Sequence, residues 1–157
     1  MKYGARQTFS ASCESYGNSS AFGVLARSTA GTLRGLHLQL RHTQGKLIRV
    51  IEGEIYDVAV DVRRGSPTFG QWVGVTLTAD NFKQIYIPPG FAHGFLVLSE
   101  SADFLYKTTA YYQPAAEHAL RWDDPDLAIA WPTDGGVPQL SAKDGQAPAW
   151  RDAVTFD

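Results

Sequence analysis

From Tyr56 onward the chain alternates in character: Tyr56, Val58, Val60 and Val62 fall on even positions, Asp57, Ala59 and Asp61 on odd ones. A period of two sends successive side chains to opposite faces, so this run predicts a strand with unlike faces rather than a helix. Short runs rich in Val, Ile, Leu and aromatics recur from Thr32 to Thr109, parted by turn residues. Leu47 to Ile51 predicts a strand leading into Glu52-Gly53-Glu54, where the glycine suits a tight hairpin turn. Arg64-Gly65-Ser66-Pro67 predicts a loop and Trp72 to Thr78 the next strand. Ala79-Asp80-Asn81 turns into Lys83 to Ile87, which Pro88-Pro89-Gly90 ends. Phe95 to Leu98 and Asp103 to Thr109 add two more strands. Six or more short strands with little room for helices predict an all-β sandwich, jelly roll or small barrel.

The two ends differ in texture. Residues 1–31 are rich in Ser, Ala, Gly and Thr, with Phe9, Tyr16, Phe22 and Leu25 as their main large apolar residues. Such a stretch predicts an arm that packs on the body or on a neighbouring subunit. After Tyr112, Ala115 to Leu120 predicts a helical turn. Asp123-Asp124-Pro125-Asp126 and Trp131-Pro132 predict loops, and Pro148 to Asp157 a short terminal helix. These tail elements are expected to cover an open end of the β body. No linker or repeat divides the chain, so residues 1–157 read as one domain.

Composition narrows the function classes. With 14 basic and 16 acidic residues the net charge is −2, which disfavours a large basic surface for nucleic acid. A single cysteine, Cys13, excludes an intramolecular disulfide framework and a multi-cysteine metal site. The apolar runs are too short to cross a bilayer as a helix, and no signal peptide is visible, so a cytoplasmic protein with no membrane partner is expected. There is no GxGxxG opening a helix, no P-loop and no GxSxG elbow.

Several polar residues stand out. His37 lies in Arg34-Gly35-Leu36-His37, with Lys46 nearby; a lone histidine is more often structural, but two cations beside it suit an anion. In an unbroken strand Arg34 and His37 face opposite ways, so their joint use would require a bend, for which a bulge at Gly35 is the candidate. His93 ends Pro88-Pro89-Gly90-Phe91-Ala92-His93, the Pro-x-Gly-x-x-His form of a cupin half-motif. A metal-binding cupin carries His-x-His and a following Glu in its other half; this chain has His37-Leu38-Gln39 and no Glu before Glu52. That leaves too few ligands for a transition metal, and no metal is expected. Of Tyr106 and Lys107, only one can face an interior site, and the even positions Phe104, Tyr106 and Thr108 are the more inward. A buried tyrosine is ordinarily a packed ring; its alternative is a general acid. Asp57 and Asp61 share a strand face, and Asp144 set against His37 would form a carboxylate–imidazole dyad. Most such aspartates are solvated or make caps, and Lys143 reads as a surface charge.

The runs Gly31-Thr32-Leu33-Arg34-Gly35-Leu36-His37, Gln44-Gly45-Lys46 and Asp57-Val58-Ala59-Val60-Asp61 occur in order with Gly65 to Gly70 and Pro88 to Phe95. With Glu100 to Thr109, Arg121 to Pro125 and Leu140 to Asp144, they resemble the dTDP-4-dehydrorhamnose 3,5-epimerase family across roughly residues 31 to 150. The resemblance implies a cupin-type double-stranded β-helix (jelly roll) that needs no cofactor and inverts C3 and C5 of a dTDP-linked 4-keto-6-deoxy sugar through an enolate. It implies His37 as general base paired with Asp144, Tyr106 as the acid on the other face, and Lys46 as the charge that stabilises the enolate oxygen. His93 and Arg34 would contact substrate, Arg34 through phosphate. Asp57 would hold charged neighbours, Tyr112 would lie by the nucleotide, and the protein would be a homodimer. Against the family pattern residues 1–31 form a shortened arm: Arg6-Gln7-Thr8-Phe9 and Phe22-Gly23-Val24-Leu25 stand where an Arg-Gly-aromatic segment and a Gln-x-Asn pair are usual. Two other functions fit the same residues, a single-carbon epimerase or keto-sugar isomerase and a non-catalytic sugar-nucleotide binding subunit.

Overall fold

A computed structural model describes residues 22–157. Nine strands run in chain order: β1 (Phe22–Thr29), β2 (Leu33–Gln39), β3 (Lys46–Glu52), β4 (Glu54–Asp61), β5 (Trp72–Thr78), β6 (Gln84–Ile87), β7 (Phe91–Val97), β8 (Ser101–Thr108) and β9 (Glu117–Ala119). They form two sheets, β1-β8-β3-β6 and β5-β4-β7-β2-β9, and every named strand pair is antiparallel. This is the expected all-β, cupin-type jelly roll. One short helix, α1 (Ala142–Gly145), follows.

The alternation in β4 explains the layering. Its odd residues look into the space between the sheets and its even ones look outward, yet both faces are buried. Between the sheets, Ile55, Ala59, Leu77 and Val97 meet Ile48, Val50, Ala102 and Phe104. On the outer side Val58, Val60, Leu36, Leu38 and Ala92 meet Leu120, Leu127 and Ala153 of the C-terminal tail. Each fully buried Leu, Ile or Val contributes about 1.5–3 kcal/mol relative to exposure, so both layers matter to stability. The tail is also tied by polar bonds: Trp72 donates its indole N–H to the Leu127 carbonyl at 3.0 Å, and Trp131 donates to Trp122 at 2.9 Å.

Four expectations change. The tail covers a face of the five-stranded sheet rather than an open end, because the even side of β4 carries valines that need a partner. Gly53 does not close a hairpin: β3 and β4 lie in different sheets, and the chain crosses between them there. Gly53 has φ +79°, and a Cβ on it would lie 2.1 Å from the Ser101 carbonyl oxygen, so the requirement for glycine comes from a close approach to β8 as well as from a turn. Residues 115–120 do not make an α-helical turn. A short 3-10 turn at Pro114–Ala116 leads into β9, which pairs with β2. Pro148 to Asp157 holds only the 3-10 turn Trp150–Asp152.

Of the expected arm, residues 22–29 are β1, an edge strand paired along its length with β8 of the same chain. Cys13, Arg6 to Phe9 and the rest of residues 1–21 lie outside the described residues.

Candidate active site

The inner face of the five-stranded sheet carries His37, His93 and Asp57, and its register shows how. On β2, Arg34 sits opposite Phe95 and His37 opposite His93, so three steps on β2 match two on β7. That extra residue is a bulge, and it turns Arg34 and His37 to the same face. The bulge depends on Gly35, whose φ is +124°; a Cβ there would lie 2.5 Å from Gly94 Cα and 2.8 Å from the His93 carbonyl oxygen. Gly94 is equally constrained, since its own Cβ would meet the Arg34 carbonyl oxygen at 2.8 Å.

Asp144 reaches this face from the tail. Gln139 bridges to Thr32, just before β2, and Ser141 then caps α1. The Asp144 N–H donates to Ser141 Oγ at 3.1 Å, and the Ser141 hydroxyl donates to Asp144 Oδ2 at 2.6 Å, a reciprocal capping arrangement. Asp144 Oδ1 lies 2.5 Å from His37 Nε2 and accepts the Gly35 N–H at 3.3 Å. Burial pushes this carboxyl up, but hydrogen bonds from His37 and Ser141 outweigh it and hold it down at about 2. An ionised carboxylate at Nε2 fixes that nitrogen as the donor and leaves the lone pair on Nδ1. Arg34 lies near the same carboxylate, 3.9 Å from Oδ2, with its side chain partly open to solvent.

A second imidazole–carboxylate pair stands beside the first: His93 Nε2 is 2.9 Å from Asp57 Oδ2. Asp57 is fully buried, and its Oδ1 has no hydrogen-bond partner. Burial of this kind reverses the default expectation of a solvated aspartate. Asp61 is buried too, accepting bonds from Arg63, Ser66 and Thr68. It is saturated by its own loop and takes no part in the site.

The facing sheet supplies the opposite wall. Its register places Lys46, Ile48 and Val50 of β3 across from Thr108, Tyr106 and Phe104 of β8; this set points inward, as expected for the even residues of β8, while Lys107 is exposed. Burial pushes the Lys46 ammonium down, opposed by the negative charges of Asp57 and Glu117. Burial pushes the Tyr106 phenol up, which keeps it protonated at neutral pH. An aromatic row joins the walls: Phe95 lies 6.5 Å from His93 and 4.6 Å from Phe104, which lies 6.4 Å from Tyr106.

One participant escaped the sequence reading. Glu117, on β9, places Oε1 3.8 Å from His37 Nδ1. Its Oε2 accepts the Tyr112 hydroxyl at 2.7 Å and pairs with Lys143. Burial pushes this carboxyl up, but Lys143 and Tyr112 outweigh it and hold it below its ordinary value. No motif marks Glu117; its role follows from β9 lying against β2. Tyr112 is otherwise exposed. Gln39, which stands where a metal-binding cupin has its second histidine, spends its amide on the carbonyls of His42 and Tyr111 and on the N–H of Gln113. Among the described residues no three His, Cys, Asp or Glu side chains are grouped to hold a metal ion.

The family model described as dTDP-4-dehydrorhamnose 3,5-epimerase matches residues 7–152. The dTDP-4-dehydrorhamnose 3,5-epimerase of Pseudomonas aeruginosa is 58% identical over 131 residues, covering 83% of this chain and 72% of that protein. The solved dTDP-6-deoxy-D-glucose-3,5-epimerase of Legionella pneumophila, in complex with dTDP-4-keto-L-rhamnose, is 56% identical. It superposes with a TM-score of 0.79 over 82% of this chain and 68% of that one. The 3'-monoepimerase of Streptomyces bikiniensis, in complex with dTDP-quinovose, is 40% identical, with a TM-score of 0.77 over 82% of this chain and 65% of that one. On the family match and on these identities, the chain belongs to the dTDP-4-dehydrorhamnose 3,5-epimerase family.

Proposed function

We propose that this protein is a cofactor-independent epimerase of a dTDP-linked 4-keto-6-deoxy sugar, inverting C3 and C5 by proton abstraction and return through an enolate. The observation that carries the reading is the His37–Asp144 pair on one wall with Tyr106 on the other. A proton α to a ketone is weakly acidic, and a neutral imidazole removes it when the enolate is stabilised in place. In this reading His37 Nδ1 takes the proton, and Asp144 holds the ring and supports the imidazolium. Lys46 supplies positive charge to the enolate oxygen, and the protonated Tyr106 delivers a proton to the opposite face. Inversion, rather than return, follows from having base and acid on different walls.

Arg34 and His93 are assigned to substrate contact, Arg34 to phosphate, and Tyr112 to the nucleotide side. Asp57 is assigned to holding His93 and balancing Lys46. We assign the protein to the cytoplasm as a single domain over residues 1–157 acting as a homodimer. The edge strand β1 and the outer side of its sheet support the homodimer, because Leu25, Ile51 and Tyr86 are exposed there, whereas the other sheet has its outer face covered.

The test is solvent deuterium exchange at C3 and C5 of dTDP-4-keto-6-deoxyglucose, read by NMR. Exchange and inversion at both carbons support the reading. Inversion at one carbon would instead place the protein with single-carbon epimerases such as the Streptomyces bikiniensis relative. Binding without exchange at either carbon would make it a sugar-nucleotide binding subunit.

A further inference from the structure

With Nε2 committed to Asp144, the proton taken from substrate arrives on His37 Nδ1. An epimerase that acts repeatedly must clear that proton before the base can serve again, and this requirement rests on the function proposed above. Among the described residues Glu117 is the one carboxylate within 4 Å of Nδ1. The 3.8 Å separation is too long for a direct hydrogen bond, and a water seated to one side of the pair reaches both atoms. Glu117 is also divided in use: Oε2 is held by Tyr112 and Lys143, while Oε1 faces the ring. Lys143, whose side chain is 48% exposed, carries the network to bulk solvent.

The other groups around the ring have different duties. Asp144 on α1 holds Nε2, with Arg34 beside its far oxygen. His93, the cross-strand partner on β7, is bonded to Asp57 of β4. Lys46 and Tyr106 belong to the opposite wall.

We propose that Glu117 relays the proton from His37 to solvent through a bridging water, and so resets the base between successive abstractions. The Nδ1–H bond of the imidazolium breaks and a water O–H forms, as that water passes one of its own protons to Oε1. The products are a neutral imidazole and a neutral carboxyl. The carboxyl, acidified by its two partners, then releases its proton to solvent.

The relay makes the first abstraction and all later ones unequal. In rapid-quench experiments with saturating dTDP-4-keto-6-deoxyglucose, Glu117→Gln should show a burst of about one inverted carbon per active site. Its steady state should then run at least about tenfold slower, the scale of a lost proton-transfer group. Formate, a small diffusible carboxylate, should restore the steady state of Glu117→Ala without changing its burst. A steady-state loss with no burst, or no response to formate, would overturn the relay and leave Glu117 as a structural partner of Lys143 and Tyr112. Wild-type protein inactive in the same assay would instead overturn the epimerase reading, and the relay with it.

Discussion

His93 and Asp57 form an imidazole–carboxylate pair of 2.9 Å between β7 and β4, next to the His37–Asp144 pair that β2 presents. The two pairs differ in their surroundings. Asp144 uses both oxygens, whereas Asp57 keeps Oδ1 unbonded in a fully buried position, where its negative charge acts on Lys46. An unpaired buried carboxylate oxygen is costly unless a nearby positive charge offsets it. Asp57 therefore links the substrate-facing histidine to the cation on the far wall.

Asp57→Asn should lower the basic limb of the kcat/KM profile. Burial already pushes Lys46 down, and Asp57 is the largest influence pushing it back up. Removing that charge makes the ammonium lose its proton at lower pH, so activity at high pH should fall earlier. An unchanged basic limb would separate Lys46 from the reaction.

His37→Ala should abolish exchange at both carbons while the fold stays intact, since one side chain on one strand of a many-stranded body is lost. General-base removal typically costs about 10²–10⁴-fold. Activity within a few-fold of wild type would rule out His37 as the base.

Tyr106→Phe should separate exchange from inversion. The phenyl ring keeps its contact with Phe104, so only the donor hydroxyl is lost. Enolate formation continues, and return from His37 regenerates substrate; deuterium should enter recovered substrate while inverted product becomes scarce. Asp144→Asn should slow both together, because it weakens the shared base. Equal losses in Tyr106→Phe would return Tyr106 to a packed ring.

Gly35→Ala should damage both stability and activity. The positive φ and the 2.5 Å approach of a Cβ to Gly94 Cα force backbone movement, at a cost of about 2 kcal/mol or more. Because the bulge sets the facing of Arg34 and His37, kcat should fall as well, even at temperatures where circular dichroism shows a folded chain. Wild-type activity in a destabilised variant would show that the bulge is structural only.

Asp61→Asn should flatten the acid end of the stability profile. Asp61 is held far below its ordinary 3.8, with burial opposing and the bonds from Arg63, Ser66 and Thr68 prevailing. A depressed carboxyl contributes stability that is complete above the unfolded value and is lost as pH falls through the folded one. That loss therefore begins below about pH 4 and deepens as the pH falls further. Asn should cost about 1–3 kcal/mol at neutral pH, with a smaller further loss in acid. Urea midpoints at pH 7 and pH 3 measure both.

Periodicity alone was enough for most strands and for the inward set Phe104, Tyr106 and Thr108, because a period of two is a local property of the backbone. The conflict between Arg34 and His37 was equally visible, and Gly35 was the residue able to relieve it. Pairing was not visible. Whether Glu52-Gly53-Glu54 closes a hairpin or crosses between sheets depends on which strands take β3 and β4 as neighbours, a choice made by contacts distant in sequence. The tail shows the same division. Ser141-Ala142-Lys143-Asp144 states its own cap, but only the packing of Leu120, Leu127 and Ala153 on β4 and β2 brings Asp144 to His37, 107 positions away. Glu117 had no local signature at all. It became part of the site because β9 adds to the edge of β2, and burial then turned a solvated charge into a partner for the imidazole.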